Sequence, residues 1–211
     1  MEKSFTKEDS LSIINNMILQ ARNNYKKGAG MYSIFWGYFI AFLSLLDFVL
    51  LHWLPTVGIA FSKANLVWYL TLPVAIIYFV YIRIQNRKAL VKTHIDRIVN
   101  HIWIAFCISC FMFILVLNIY IIYFKASSAA LLITPVILLL LGLAQFASAS
   151  VLKFKLFFYA SAVFWLGSCI SIISLILFQR GDIQFIILAI CMLLGFCIPG
   201  HILNHKAEKY V

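Results

Sequence analysis

Acidic residues are scarce in this chain, with seven Asp and Glu among 211 residues, and charged residues of both signs reach only 11%. A soluble domain carries about 25% charge. With 64% apolar residues and a mean hydropathy of +0.99, an ordinary soluble domain is excluded. Catalytic signatures are missing too. There is no G-x-S-x-G, no G-x-G-x-x-G, no phosphate-binding loop ending in Lys, and no pair of carboxylates inside an apolar run. The chain therefore reads as a non-enzyme that implies no cofactor. Cysteines are absent from the loops: Cys107, Cys110, Cys169, Cys191 and Cys197 all fall in apolar runs. That excludes a structural disulfide framework and leaves thiols that behave as small hydrophobes. The C-x-x-C spacing of Cys107 and Cys110 lacks the strand-helix setting of a redox fold. A cleavable signal peptide fits poorly, because about 30 polar and amphipathic residues precede the first apolar run and no small-residue cleavage site follows it.

What the chain does have is six apolar runs, at 31–52, 64–83, 101–124, 128–150, 156–178 and 183–203. About 20 residues suffice to cross about 30 Å of hydrocarbon as a helix. Trp36, Trp53, Trp68, Tyr69, Tyr81, Trp103, Tyr120, Tyr123 and Tyr159 fall near the run ends, as an aromatic belt requires. The expectation is an all-α membrane protein: a bundle of six transmembrane helices in one domain, 31–205, between a leader at 1–30 and a tail at 206–211. Connections are short, so consecutive helices should be antiparallel neighbours.

Charge placement sets the expected orientation. Lys3, Lys7, Arg22, Lys26 and Lys27 precede the first run, and Arg83, Arg87, Lys88, Lys92 and Arg97 separate the second from the third. Lys153 and Lys155 separate the fourth from the fifth, and Lys206 and Lys209 follow the last. These are 14 of the 17 basic residues, and only Lys63, Lys125 and Arg180 occupy the other side. Basic residues near span ends stay in the cytoplasm, which places both termini there. The formal charge of +10 is divided among short loops. It is thus suited to the anionic inner leaflet of the bilayer, at about 1 kcal/mol per residue, and not to nucleic acid.

Residues 9–27 read as an amphipathic helix that lies on the membrane. Leu11, Ile14, Ile18, Ala21 and Tyr25 form one apolar stripe. Glu8 and Asp9 at the start and Arg22, Lys26 and Lys27 at the end match the helix macrodipole. The same helix could instead dock a cytoplasmic or membrane protein partner, together with the basic stretch 84–100. Small residues mark helix contacts: Gly142, Ala144, Ala147, Ser148, Ala149 and Ser150 in the fourth run, and the Gly167/Ser171 pair in the fifth. Trp36, Trp103 and Trp165 in the odd runs, with Pro73, Pro135 and Pro199 in the even ones, hint at three tandem hairpins. Six even hairpin spans produce that period without any repeat, and this plainer explanation is preferred.

Two constellations could carry chemistry. Asp47 is the one carboxylate inside a run, with Asn118, Thr71 and Thr134 at similar depth. An ionisable group in a membrane is a functional candidate by default, so these four could form a polar pocket that binds a cation or relays a proton. Alternatively, Asp47 is shallow enough to reach headgroup water while Asn118 bonds a neighbouring helix. The second constellation is His94, His101, His201 and His205 at the basic side, where His201 and His205 are one helical turn apart and Asp96 could add a ligand to a shared metal. No H-E-x-x-H pattern supports that site.

Three stretches together carry a resemblance: DSLSIINNMILQARNNY followed by IFWGYF within 9–39, VLKFKLF at 151–157, and CIPGHILNHK at 197–206. The chain resembles a family of small, uncharacterised bacterial inner-membrane proteins over nearly its whole length. The resemblance implies a bacterial inner (plasma) membrane location, six helices and the amphipathic leader, and it suggests a regulated stress or envelope role. It implies no activity. Mitochondrial carriers also have six helices, but their signature prolines are followed by a carboxylate and a base, whereas Pro73, Pro135 and Pro199 here are followed by Val74, Val136 and Gly200. Two functions therefore stand. The leading one is a non-enzymatic accessory or regulatory membrane module. The alternative is a small transporter or channel for an ion or compact solute, centred on Asp47 and Asn118.

Overall fold

A backbone crossing hydrocarbon must satisfy its own N–H and C=O groups, and within one segment only a helix does so. The computed structural model describes residues 30–87 and 94–209, and among these it is 93% helical with no strands. The leader expected at 9–27 and the middle of the 84–100 stretch lie outside the described residues.

Helix α1 spans Met31–Trp53 and runs into a 3-10 turn, Leu54–Val57. The chain reverses at Gly58, whose φ of +74° is the left-handed conformation that glycine adopts without cost. A ten-residue 3-10 segment, Phe61–Leu70, then leads into α2, Thr71–Arg87. The Thr71 hydroxyl donates to the Trp68 carbonyl at 2.6 Å where one geometry passes into the other. Helix α3 spans His94–Phe124, and after a 3-10 turn at Ser127–Leu132 come α4, Ile133–Leu152, and α5, Lys155–Phe178. The last crossing is continuous but made of three parts: α6, Ile183–Met192, a π stretch, Leu193–Cys197, and α7, Ile198–Lys209. Lys125, Lys153 and Gln179 take left-handed φ values of 51–53° at three other reversals among the described residues.

Six helices are long and apolar enough to cross a membrane. Their ends differ from the apolar runs in several places, with α2 running on to Arg87, the last crossing to Lys209, and the fourth crossing opening with a 3-10 turn. The second crossing opens with 3-10 turns instead of α-helix. The third begins at His94, seven residues ahead of the run, so the end of the 84–100 stretch is helix. At 31 residues α3 is roughly 46 Å long, well beyond the hydrocarbon thickness of about 30 Å.

Consecutive crossings are neighbours, as expected, except at α2 and α3, and the first crossing also packs on the last. Helix α1 lies against the 61–70 turns and against α6, α6 against α5, α5 against α4, and α4 against α3, with the α4–α5 pair the most extensive. No comparable contact joins α2 to α3. The last crossing is the hub, with 56% of its apolar window buried against 6% for α3. Small and polar side chains line the interior, among them Ser44, Asp47, Gln145, Ser148, Ser161 and Ser171, while Phe111, Ile122, Ile176 and Leu177 face outward. In water such a surface would drive aggregation at about 25 cal/mol per Å². In lipid it is the natural solvent-facing surface, and this is the arrangement of an integral membrane protein.

Close approaches follow the small residues. Gly142 of α4 admits the Trp165 ring of α5, and a Cβ there would lie 2.3 Å from the indole. Gly167 sits between two neighbours: a Cβ there would lie 2.3 Å from the Cys191 sulfur of α6 and 3.7 Å from Leu138 of α4. The polar link from α5 to α4 is made by Ser168, whose hydroxyl donates to the Pro135 carbonyl at 2.7 Å. The π stretch has its own cause. Pro199 lacks an N–H and its ring crowds the carbonyl four residues back, at Gly195, so the helix widens by one residue just before it. Phe164 of α5 fills the room at Gly195, where a Cβ would come within 2.4 Å of its ring.

Candidate functional site

Ser33, Gly37, Ala41, Ser44 and Asp47 are all buried. Their spacing of four, four, three and three places them on one face of α1. Because the stripe is small, α1 seats closely on the last crossing, and a Cβ at Gly37 would lie 2.6 Å from the Cys197 sulfur. That seating carries Asp47 inside. Both Asp47 and Ser44 are 0% exposed, so the carboxyl does not reach headgroup water.

The immediate surroundings form a closed circuit. The Trp68 indole N–H donates to Asp47 Oδ2 at 2.6 Å. The Trp68 ring stacks on Phe185 at 6.3 Å between centroids, and the Phe185 carbonyl accepts the Ser44 hydroxyl at 2.7 Å. Asp47 Oδ1 has no hydrogen-bond partner. Gln184 Nε2, one residue from Phe185, and Ser171 Oγ on α5 are likewise buried and unpartnered. A buried polar atom left unpaired costs about 1–3 kcal/mol, and more when charged. An unpartnered acceptor oxygen, fixed in place by its neighbour, is the natural complement of a proton or a small cation.

The other residues named from the sequence are placed as follows. Thr71 is beside Trp68 in the chain and bonds its carbonyl, not Asp47. Asn118 is exposed on α3, and its amide donates to Ile114 of its own helix at 2.7 Å. Thr134 is buried on α4. No hydrogen bond joins Asn118 or Thr134 to Asp47. His94, His101, His201 and His205 are all exposed. The His101 ring bonds the Arg97 carbonyl at 2.7 Å, and His201 lies 3.2 Å from the Tyr38 hydroxyl. Among the described residues no three His, Cys, Asp or Glu side chains come together to hold a metal.

Two features escaped the sequence reading. One is Trp68, read as a belt residue, which turns out to be the donor to Asp47. The stripe that ends at Asp47 was the available sign that this acid points inward. The other lies at the loop end of α1. The Asp182 carboxylate accepts from Arg180 (Nη2 to Oδ2 2.6 Å, Nε to Oδ1 3.2 Å), and His52 Nε2 lies 3.2 Å from the same Oδ2. The hydrogen bonds from Arg180 hold the Asp182 carboxyl below the usual carboxylate range. His52 and Asp182 belong to the end of α1 and the start of the last crossing, the two elements that close over Asp47.

Two grooves open to the outside lie away from this centre. One of about 260 Å³ runs between α3 and α4 and is lined by Phe106, Ser109, Leu143 and Ala147. The other, of about 260 Å³, lies beside Phe79 and Arg83 on α2.

The sequence matches no family model, and neither a curated protein nor a solved structure matches it.

Proposed function

We propose that this protein is a small transporter of the bacterial inner membrane, with both termini in the cytoplasm, that takes up a proton or a small monovalent cation at Asp47. The carrying observation is the carboxyl itself: wholly buried, held by Trp68 through one oxygen and unpartnered at the other. The sequence favoured an accessory module because mid-membrane polarity looked sparse. Among the described residues eleven polar side chains are buried, five of them on α5 and α6, which weakens that objection. The orientation rests on the 14-to-3 division of basic residues.

The test is flux in proteoliposomes carrying an internal pH dye, under proton, Na⁺ and K⁺ gradients in turn. Wild type should dissipate at least one gradient. Asp47→Asn, whose amide oxygen can still accept from Trp68, should fold and be inert. Equal flux through both proteins would remove Asp47 from the function.

The accessory reading is kept on one observation. Helix α3 outruns the hydrocarbon by roughly 16 Å and buries little of its length, which leaves a helical post beyond the bilayer for a partner, in concert with residues 9–27. Stoichiometric co-purification of a protein, lost when residues 1–27 are deleted, would favour that reading.

A further inference from the structure

The tautomer of His52 can be read from its neighbours. Its Nδ1 lies 2.8 Å from the Phe48 carbonyl oxygen of its own helix. A carbonyl only accepts, so Nδ1 must carry a hydrogen in either charge state. In the neutral ring the exchangeable position is then Nε2, and it is bare. That bare nitrogen faces Asp182 Oδ2 at 3.2 Å, lone pair toward lone pair. Among the described residues the donor within reach is Arg180 Nη2, which gives one hydrogen to Asp182 at 2.6 Å and can offer its second to the neutral ring only across a long 3.4 Å contact. In the protonated ring Nε2 donates to Asp182 and the contact becomes a charge-assisted bond.

From these contacts we infer that His52, Asp182 and Arg180 form a proton-operated clasp across the loop end of α1 and the last crossing, shut when His52 is charged and loosened when it is neutral. This rests on the reading of Asp47 as the working group, and it names how access to that group is regulated. Asp47 lies five residues before His52 on α1, roughly 7.5 Å along the axis. Among the described residues the side-chain bonds that pin the two elements near Asp47 are few: Ser44 to Phe185 on one side of it, and the clasp on its loop side. Parting the clasp therefore removes the polar link that holds the loop ends of the two elements together above the carboxyl.

The surroundings add no competing charge. On α1 the His52 ring packs on Phe48 at 4.7 Å between centroids. The Leu54–Val57 turn that follows has no ionisable side chain, and the Phe61–Leu70 segment brings Lys63 and Tyr69, both exposed. Across the interface, the turn before α6 supplies Arg180 and Asp182. Among the described residues the ion pairs here are those of Asp182 with His52 and with Arg180.

The test is amide hydrogen exchange of residues 179–185 in lipid nanodiscs, between about pH 5 and pH 8, where imidazoles change charge, corrected for the intrinsic pH dependence of exchange. The amides of Gln184 and Phe185 bond the carbonyls of Gly181 and Asp182, so they report the turn directly. Protection should fall by roughly threefold or more as the pH rises in the wild type, and it should be flat in His52→Phe and in Asp182→Asn. A flat wild-type profile overturns the clasp, and so does a pH response that survives in both variants. His52→Gln, which cannot be charged, guards against a packing artefact and should match His52→Phe in lacking the response. Asp47→Asn separates the two proposals. The clasp requires that this variant keep the pH-dependent protection whatever its flux. If flux depends on Asp47 while wild-type protection is flat, the carboxyl reading stands and the clasp falls. If protection responds to pH while Asp47→Asn transports as wild type, the clasp stands and the carboxyl reading falls.

Discussion

Replacing Trp68 by Phe removes the indole N–H donor and part of the indole's packing, while an aromatic ring remains to stack on Phe185. The bond it deletes is short, at 2.6 Å, and spans 21 residues of sequence, so it ties the Phe61–Leu70 segment to α1. Polar contacts between membrane helices average about 0.6 kcal/mol and reach about 1.7 kcal/mol, since the unfolded chain in lipid finds other partners. Asp47 belongs at or above the upper end of that range. Its second oxygen is already unpartnered, so Trp68→Phe leaves the carboxyl without any donor, and an unsatisfied buried group costs about 1–3 kcal/mol. The expected loss is about 2 kcal/mol, a roughly 30-fold fall in the folded-to-unfolded ratio. Reversible unfolding in mixed micelles with increasing SDS measures it. The cycle is completed with Asp47→Leu, which removes the acid and fills its space. In that background Trp68→Phe should cost only its packing, giving a coupling of about 1–2 kcal/mol. Costs that simply add, or a Trp68→Phe variant within about 0.3 kcal/mol of wild type, would show that the indole does not support the carboxyl.

Gly37→Ala places a methyl 2.6 Å from the Cys197 sulfur and 3.0 Å from Phe196 Cβ, and should cost about 1–3 kcal/mol by the same SDS titration. Adding Cys197→Ala should return part of that loss. Gly58→Ala has open space around it but a φ of +74°, so it should cost only about 1 kcal/mol through backbone strain. Asp182 has a depressed folded pKa. Its stabilisation is therefore complete above the ordinary carboxylate pKa of about 3.9 and is lost as the pH falls through the lower folded value. Melting curves recorded from neutral to strongly acidic pH should show an acid limb that is shallower in Asp182→Asn, and a limb unchanged in the variant would break that assignment.

The number and length of the crossings were legible because hydrocarbon thickness imposes about 20 apolar residues per helix and little else. The packing partners were only partly legible. Gly142, Ser148 and Ala149 did mark a helix contact, but Gly167 meets Cys191 of α6 as well as Leu138 of α4, since a small residue permits close approach without naming the neighbour. The start of α3 at His94 was missed because polar residues such as Asp96 and Arg97 extend a helix beyond the bilayer without an apolar signal. Asp47 was legible as an acid in a span, yet its burial depended on the face it shares with Ser44 and Ala41, and its donor on a 3-10 segment that places Trp68 opposite. Depth alone grouped Asn118 with Asp47, and depth does not determine azimuth: the Asn118 side chain lies on an exposed face and bonds its own helix.

A π turn holds one residue more than an α turn, which makes Leu193–Cys197 a stored increment of register. Were those five residues to relax to α geometry, everything beyond them would swing through about 100° and shift by about 1.5 Å along the axis. Gly200, which sits so close to Gly30 that a Cβ on Gly30 would be 2.1 Å from its carbonyl, would leave that contact. The 2.9 Å bond from the Gly30 amide to Asn204 and the 3.2 Å Tyr38–His201 pair would break with it. The wide turn thus acts as a detent, in which a single residue of slack decides whether the start of α1 and helix α7 are latched side by side.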